Sequence, residues 1–238
     1  MNERKKVFYD NLIIKDEDKV NAENSLKSKG IEKHILIKEN LLVWSEIEKI
    51  EYAKIASTYR YEKRIRKVLF KYISYLEEYY RAIILDNYKF NLEQSFWLNQ
   101  MKTNIKNFGD LNDALERLEF SALLFQCKKM PNEIKLICNL PVDKHLSTNI
   151  KALKELRNAV MHNKFLLLYR GFAKCFVQGV DGNKSSNLKA NILNLIQFLP
   201  EEVGKQCVKD IEACKENRNK DSDTDWDLPT HIVISINK

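Results

Sequence analysis

Residues 59–88 read YRYEKRIRKVLFKYISYLEEYYRAIILDNY, and this stretch decides the fold class. Its apolar side chains recur at spacings of three, four and seven residues. They are Ile65, Leu69, Tyr72, Ile73, Leu76, Tyr80, Ile83 and Ile84. Because an α-helix repeats about every 3.6 residues, these positions form one broad apolar stripe. The stretch therefore predicts a long amphipathic helix that packs its stripe against other helices.

The composition of the whole chain favours the same class. Its 238 residues are 44% hydrophobic and include only six Gly and four Pro, which disfavours sandwiches and barrels. Apolar periodicity and end signals predict further helices at residues 16–29, 38–56, 92–105, 111–129, 187–198 and 201–215. Another helix is predicted from residue 147, and it ends either at about residue 162 or at residue 169. Residues 232–236 would add a short strand at most. We predict an all-α fold, an antiparallel helical bundle with short loops.

Charge and cysteine usage limit the function classes. Lys and Arg total 40 against 33 Asp and Glu, so the net charge of +7 mildly favours a polyanion partner, and a merely soluble basic surface is the alternative. The five cysteines form no CxxC pair, which indicates reduced structural thiols in a cytoplasmic protein. No apolar run approaches about 18 residues, so we predict neither a signal peptide nor a membrane span.

Metal-binding motifs are absent from the sequence. It holds no HExxH and no paired Cys–His spacing. The aspartates from Asp221 to Asp227 begin like a calcium loop, but Trp226 and Ile232 stand where such a loop needs Gly and Glu. We therefore predict no metal site and no cofactor.

The clearest candidate for chemistry is residues 157–162, Arg-Asn-Ala-Val-Met-His, which close the helix predicted from about Ser147. On a helix, Asn158 and His162 are i,i+4 neighbours, and Arg157 flanks them at roughly 140°. An imidazole moves protons near neutral pH and a guanidinium holds phosphate oxygens, so the cluster suits metal-free phosphodiester cleavage. The alternative is an Arg that caps helix carbonyls beside a partly buried His.

Two further clusters lie on the long helix. Glu77 and Arg81 are an i,i+4 pair that would either lie on the surface or hold a polar site near the interior. A basic flank suits an RNA backbone, with tyrosines between its cations, although a solvated helix face explains it as well. Its residues are Arg60, Arg64, Lys67 and Lys71.

Taken together, these segments resemble the Abi-like (abortive infection) branch of the HEPN superfamily. The matching stretches are residues 57–66, 76–81, 107–111 and 156–163, in the family's order and at similar spacing. There are departures, because Asn163 stands where the family commonly has a second His, and Tyr61-Glu62 where it has Phe-Asp.

The resemblance implies a HEPN-type antiparallel bundle at residues 58–170, between an N-terminal helical extension (1–57) and a C-terminal helical extension with a charged tail (171–238). It also implies a metal-independent endoribonuclease that acts as a homodimer in phage defence, as a toxin restrained by an antitoxin RNA or protein. A non-catalytic HEPN module that binds RNA or a protein is the alternative, and a purely structural bundle is a third.

The resemblance also assigns roles to the candidate residues. His162 would be general base or acid for attack of the RNA 2′-hydroxyl, and Arg157 would stabilise charge on the phosphorane oxygens. Asn158 would orient the histidine or the phosphate. Glu77 and Arg81 match the family's Glu-x3-Arg pattern and would support the motif helix.

Overall fold

The computed structural model describes residues 3–42, 49–87, 111–137, 139–140, 144–177, 185–215 and 232–236, and these residues are mostly helical. The helices are α1 (Glu3–Asp10), α2 (Lys19–Lys29), α3 (Ile31–Leu41), α4 (Tyr52–Asn87), α5 (Leu111–Glu116), α6 (Phe120–Lys129), α7 (Asn132–Ile137), α8 (Leu146–Met161), α9 (Leu188–Phe198) and α10 (Glu201–Ala213). The prediction of a predominantly helical chain is confirmed, whereas the HEPN-type arrangement stays a prediction.

Two small sheets interrupt the helices. Strand β1 (Leu12–Ile13) pairs in parallel with β2 (Ile50–Glu51), and β3 (Arg170–Cys175) pairs antiparallel with β4 (Ser185–Asn187). The helix predicted over residues 38–56 is therefore wrong, because α3 ends at Leu41 and residues 50–51 are a strand before α4 begins. The physical reason is long-range pairing: the Ile50 amide donates to the Asn11 carbonyl, 3.0 Å away.

One other predicted helix, over residues 111–129, is divided between α5 and α6. The motif helix α8 ends at Met161, next to the earlier of its two predicted ends. Residues 170–175, for which no strand was predicted, form β3. The predicted helix at 92–105, the motif residues 107–110 and the charged tail at 216–227 lie outside the described residues.

Close contacts group the described chain into two compact units. The first unit comprises residues from 1–66 and 211–236, and the second comprises residues from 67–210. The sequence-based division into 1–57, 58–170 and 171–238 rests on the resemblance and stays a prediction.

In the first unit, the Tyr61 ring is fully buried, and its hydroxyl accepts a hydrogen bond from the Ile234 amide at 3.0 Å. This bond ties the segment 232–236, which has no regular secondary structure, to the start of α4. His34 is also buried, and its ring stacks against Tyr52 and Tyr59.

In the second unit, the apolar stripe predicted for α4 is buried as expected, from Leu69 through Leu76 to Ile84. Helix α8 buries its own apolar face, which includes Leu153 and Leu156, and packs against α6, α9 and β3.

The cysteines of the described segments are Cys127, Cys175, Cys207 and Cys214. All four are buried and unbridged. No helix in the described segments is long and apolar enough to cross a membrane.

Candidate functional site

Helix α8 presents one polar edge beside its buried face. Lys151, Lys154, Asn158 and His162 follow one another at spacings of three, four and four residues, which places them on one side of a helix. The two lysines and His162 are exposed, and Asn158 is half-buried. The helical spacing that the sequence predicted for Asn158 and His162 is therefore present, because the His162 amide also binds the Asn158 carbonyl at 3.0 Å.

Arg157 lies on the flank of this edge and is partly buried. Its Nε is fully buried and has no hydrogen-bond partner among the described residues. A buried guanidinium donor without a partner is costly, so such a group is expected to have a function or an unseen acceptor. Within the described residues, no side-chain hydrogen bond joins Arg157, Asn158 and His162 to one another.

The helix ends at the motif histidine for a local reason. Asn163 adopts the left-handed conformation with φ of 53°, which Asn tolerates better than most residues. The amides of Asn163 and Lys164 then bind the carbonyls of Val160 and Ala159, respectively, which is the hydrogen-bond pattern of a Schellman cap. Asn163 thus closes the helix and leaves His162 exposed at its end.

Glu77 and Arg81 form the predicted pair, with 2.8 Å between Glu77 Oε1 and Arg81 Nη2, and each side chain is 20% exposed. Arg81 also donates from Nε to the Leu115 carbonyl (3.1 Å) and from Nη2 to the Leu118 carbonyl (3.2 Å). The pair therefore holds the turn between α5 and α6. Its link to the motif helix is indirect, because α6 packs on α8.

The four residues of the predicted basic flank have different surroundings. Arg60 belongs to the first unit and is exposed, and Arg64 belongs to the same unit and is half-buried. In the second unit Lys67 is exposed, whereas Lys71 forms an ion pair with Asp210 at 2.8 Å. The cationic charge of Lys71 is thus matched within the protein.

Asp210 also accepts a hydrogen bond from the Tyr72 hydroxyl at 2.8 Å. Burial and this bond raise the pKa of Tyr72 to about 12. The carboxylate therefore serves two partners on α4.

Sequence reasoning missed the hairpin of β3 and β4, which lies along α8. The Glu155 carboxylate on α8 accepts hydrogen bonds from the amides of Phe172 (2.7 Å) and Ala173 (3.1 Å). Asn149, one and a half turns earlier, accepts from the Phe176 amide and donates to its carbonyl. The sequence did hold a signal for this hairpin, because a Gly-containing loop between two short strand-forming runs is typical of a hairpin.

A buried polar group lies where the hairpin meets α8. The Tyr169 hydroxyl has no hydrogen-bond partner among the described residues. Burial, then the Glu155 carboxylate and Cys175, raise the pKa of Tyr169 above its usual range. Tyr169 is therefore a neutral phenol near neutral pH.

Helix α8 and strand β3 carry a net positive charge. Residues 144–177 contain seven Lys and Arg residues and one acidic residue, Glu155, so their net charge is +6, whereas the whole chain carries +7. Since Glu155 binds backbone amides, the surface here is cationic. Among the described residues, no cluster of three or more His, Cys, Asp or Glu could hold a metal ion.

Comparisons with known proteins add no relative: no family model, no curated protein and no solved structure matches this chain.

Proposed function

We propose that this protein is a metal-independent endoribonuclease of the HEPN type, which acts as a homodimer and serves in phage defence by abortive infection. The observation that carries the proposal is the buried, unpartnered Nε of Arg157 beside the polar edge that ends in the exposed His162. A fixed cation and an accessible imidazole are what cleavage at a phosphate requires.

The proposed reaction is a transesterification within RNA. The 2′-oxygen attacks the neighbouring phosphorus, the bond from phosphorus to the 5′-oxygen breaks, and the products are a 2′,3′-cyclic phosphate and a 5′-hydroxyl. The proton of the 2′-hydroxyl goes to one imidazole, and the leaving 5′-oxygen takes a proton from another. In a homodimer, the two copies of His162 can fill both roles.

Arg157 would stabilise the negative charge that grows on the phosphorane oxygens, and Asn158 would orient the imidazole or the phosphate. Removing one such electrostatic donor typically costs about 3–4 kcal/mol in the barrier. The concentration of positive charge at residues 144–177 supports RNA as the substrate, because cations attract its phosphates. The dimer and an antitoxin RNA or protein as inhibitor come from the resemblance, whereas the cytoplasmic setting is proposed from the cysteine usage of the sequence.

The test is RNA cleavage in the presence of EDTA. The wild-type protein should release products with 2′,3′-cyclic phosphate ends, and Arg157→Ala and His162→Ala should each lower the rate at least about 100-fold. Lys209→Ala is the control, since it removes an exposed cation from α10, outside residues 144–177, and should keep most of the rate.

The double variant sharpens the test. If both residues act in one transition state, the combined loss should be much smaller than the product of the two single losses. Equal cleavage by the wild type, Arg157→Ala and His162→Ala would refute the enzymatic proposal.

The second candidate is a non-catalytic module of the same type that binds RNA or a protein. It is favoured by one observation: within the described residues Arg157, Asn158 and His162 share no side-chain hydrogen bond. This candidate predicts RNA binding without cleavage. Overexpression separates the two, because a nuclease without its inhibitor should arrest growth while its His162→Ala form should not.

A further inference from the structure

The hairpin has one face against α8 and one face in solvent. Along β3, exposure alternates, so that Ala173 and Cys175 pack against the buried cluster with Ala152 of α8. The inward side chains are small, which allows the strand to lie close to the helix. The opposite face carries Arg170, Phe172 and Lys174, all exposed.

Phe172 is unusual among these side chains. It is 98% exposed, and the next most exposed large apolar side chain of the described residues, Val20, is 70% exposed. A fully solvated aromatic ring contributes nothing to the core and exposes apolar surface to water. Its position therefore needs a reason outside the folding of the chain.

The backbone holds Phe172 in that position. Between the paired residues Arg170↔Asn187 and Cys175↔Ser185, four residues of β3 face a single residue of β4, which is an irregularity of the kind that redirects side chains. The Glu155 carboxylate binds the Phe172 amide inside this irregular stretch. This bond fixes the backbone from which the exposed ring projects.

The direction of β3 relates this face to the proposed catalytic residues. Glu155 binds residues 172 and 173, whereas Asn149 binds residue 176, so β3 runs antiparallel to α8. The Arg170 end of the strand therefore lies toward the end of the helix that carries His162. A nucleic-acid strand that extends from the His162 end of the helix along β3 would pass Arg170, then Phe172, then Lys174.

The chemistry of this face matches a single-stranded nucleic acid. Arg170 and Lys174 lie two residues before and two residues after Phe172 along β3, so the two cations flank the ring. Neither Arg170 nor Lys174 forms an ion pair with another described residue, which leaves both charges available to phosphates. An exposed ring between two such cations can stack on an unpaired base.

Charge also decides between RNA and a second copy of the chain. A symmetric dimer through this face would bring Arg170 and Lys174 close to the same residues of its partner, with Glu155 turned to its own backbone. These cations would repel each other in such a dimer, whereas they attract the phosphates of a polyanion.

We infer that the outer face of β3, formed by Arg170, Phe172 and Lys174, is a binding subsite for single-stranded RNA next to the proposed catalytic residues. Phe172 stacks on an unpaired base, and the two cations bind the phosphates on either side. This assignment rests on the proposed function, since it names how the substrate of that site is held.

The experiment measures binding and omits cleavage. Full-length His162→Ala protein is titrated into a fluorescein-labelled single-stranded RNA of about 12 nucleotides, followed by fluorescence anisotropy. Adding Phe172→Ala should weaken binding about tenfold, whereas Phe172→Trp should keep the affinity because it keeps a stacking ring. The matched control is Phe125→Ala, which removes a ring on α6 that is 45% exposed and should leave the affinity unchanged.

Two further measurements isolate the interactions. A duplex of the same sequence should bind equally well with and without Phe172, because its bases are already stacked. Replacing both Arg170 and Lys174 by Ala should reduce the slope of log affinity against log salt by about 1.4, as expected for two lost phosphate contacts on a single strand.

The outcomes distinguish this inference from the function on which it rests. If the wild type cleaves RNA but the Phe172→Ala change leaves the affinity for the single strand unchanged, the proposed subsite is wrong and the proposed nuclease activity stands. If the wild type cleaves nothing but binding still depends on Phe172, the subsite stands and the nuclease fails. If Phe172→Ala dissociates a dimer without changing the RNA affinity, a second copy occupies this face and the inference is wrong.

Discussion

Glu155→Ala should detach β3 from α8 while leaving both elements otherwise intact. One carboxylate oxygen accepts both amide bonds, at 2.7 and 3.1 Å, and the residue is only half-buried. A hydrogen bond to a charged group contributes about 1.5–3 kcal/mol to stability. The two bonds together contribute less than twice this amount, because they share one oxygen and the carboxylate is partly exposed. We therefore expect a loss of about 2 kcal/mol, which corresponds to an increase of about 30-fold in the equilibrium constant for opening of the strand.

Hydrogen exchange of the peptide that covers residues 171–174 measures this loss directly. The amides of Phe172 and Ala173 should lose about 30-fold of their protection in Glu155→Ala. Glu155→Gln keeps an oxygen acceptor on a side chain of the same length. The free energy that protects these amides should therefore fall by less than half as much as in Glu155→Ala. Glu201→Ala, which removes an exposed carboxylate from α10, should leave this peptide unchanged.

Either of two results would refute the reasoning. If the amides of residues 172 and 173 exchange at the same rate in the wild type and in Glu155→Ala, the carboxylate does not hold the strand. If Glu155→Gln loses as much protection from exchange as Glu155→Ala, the charge of the carboxylate accounts for the lost protection and the hydrogen bonds do not.

Two further predictions concern single positions in the two units. Gly171→Ala should lower stability by about 1–3 kcal/mol in thermal unfolding, because a Cβ there would lie 2.8 Å from Glu155 Oε2 and 3.0 Å from the Tyr169 hydroxyl, whereas Gly204→Ala should be tolerated. In the first unit, burial and the nearby Lys29 lower the pKa of His34, although the Gly30 carbonyl opposes them. The folded protein then holds His34 neutral while the unfolded chain takes up a proton below pH about 6.5, so stability should fall on acidification by up to about 1.4 kcal/mol per pH unit. His34→Phe should remove that part of the slope in urea unfolding between pH about 7.5 and 5.5, and equal slopes would contradict the assignment.

The long helix and the end of the motif helix could be predicted from the sequence because both depend on local spacing. The stripe of α4 repeats over many turns, and its predicted positions Leu69, Ile73 and Leu76 are fully buried. Asn158 and His162 share an edge of α8 for the same geometric reason. The sequence also indicated an interior alternative for Glu77 and Arg81, but not their carbonyl partners in the α5–α6 turn.

The rest depends on contacts between distant parts of the chain. Strand β2 exists because residues 50 and 51 pair with residues 12 and 13, and helical periodicity carries no information about such pairing. The hairpin is held by Glu155 and Asn149 through backbone atoms of β3. Main-chain acceptors and donors are the same at every residue, so no pattern of side-chain types predicts which of them a polar residue will bind.

The reversal at Asn163 has a consequence for the products of the proposed reaction. Because the chain turns back there, β3 returns alongside the helix that ends at His162, and Glu155 and Asn149 set the register between the two. This register would set how many nucleotides lie between the bond to be cut and the base held by Phe172. The proposed reaction should therefore release fragments whose ends lie at a constant distance from the held base.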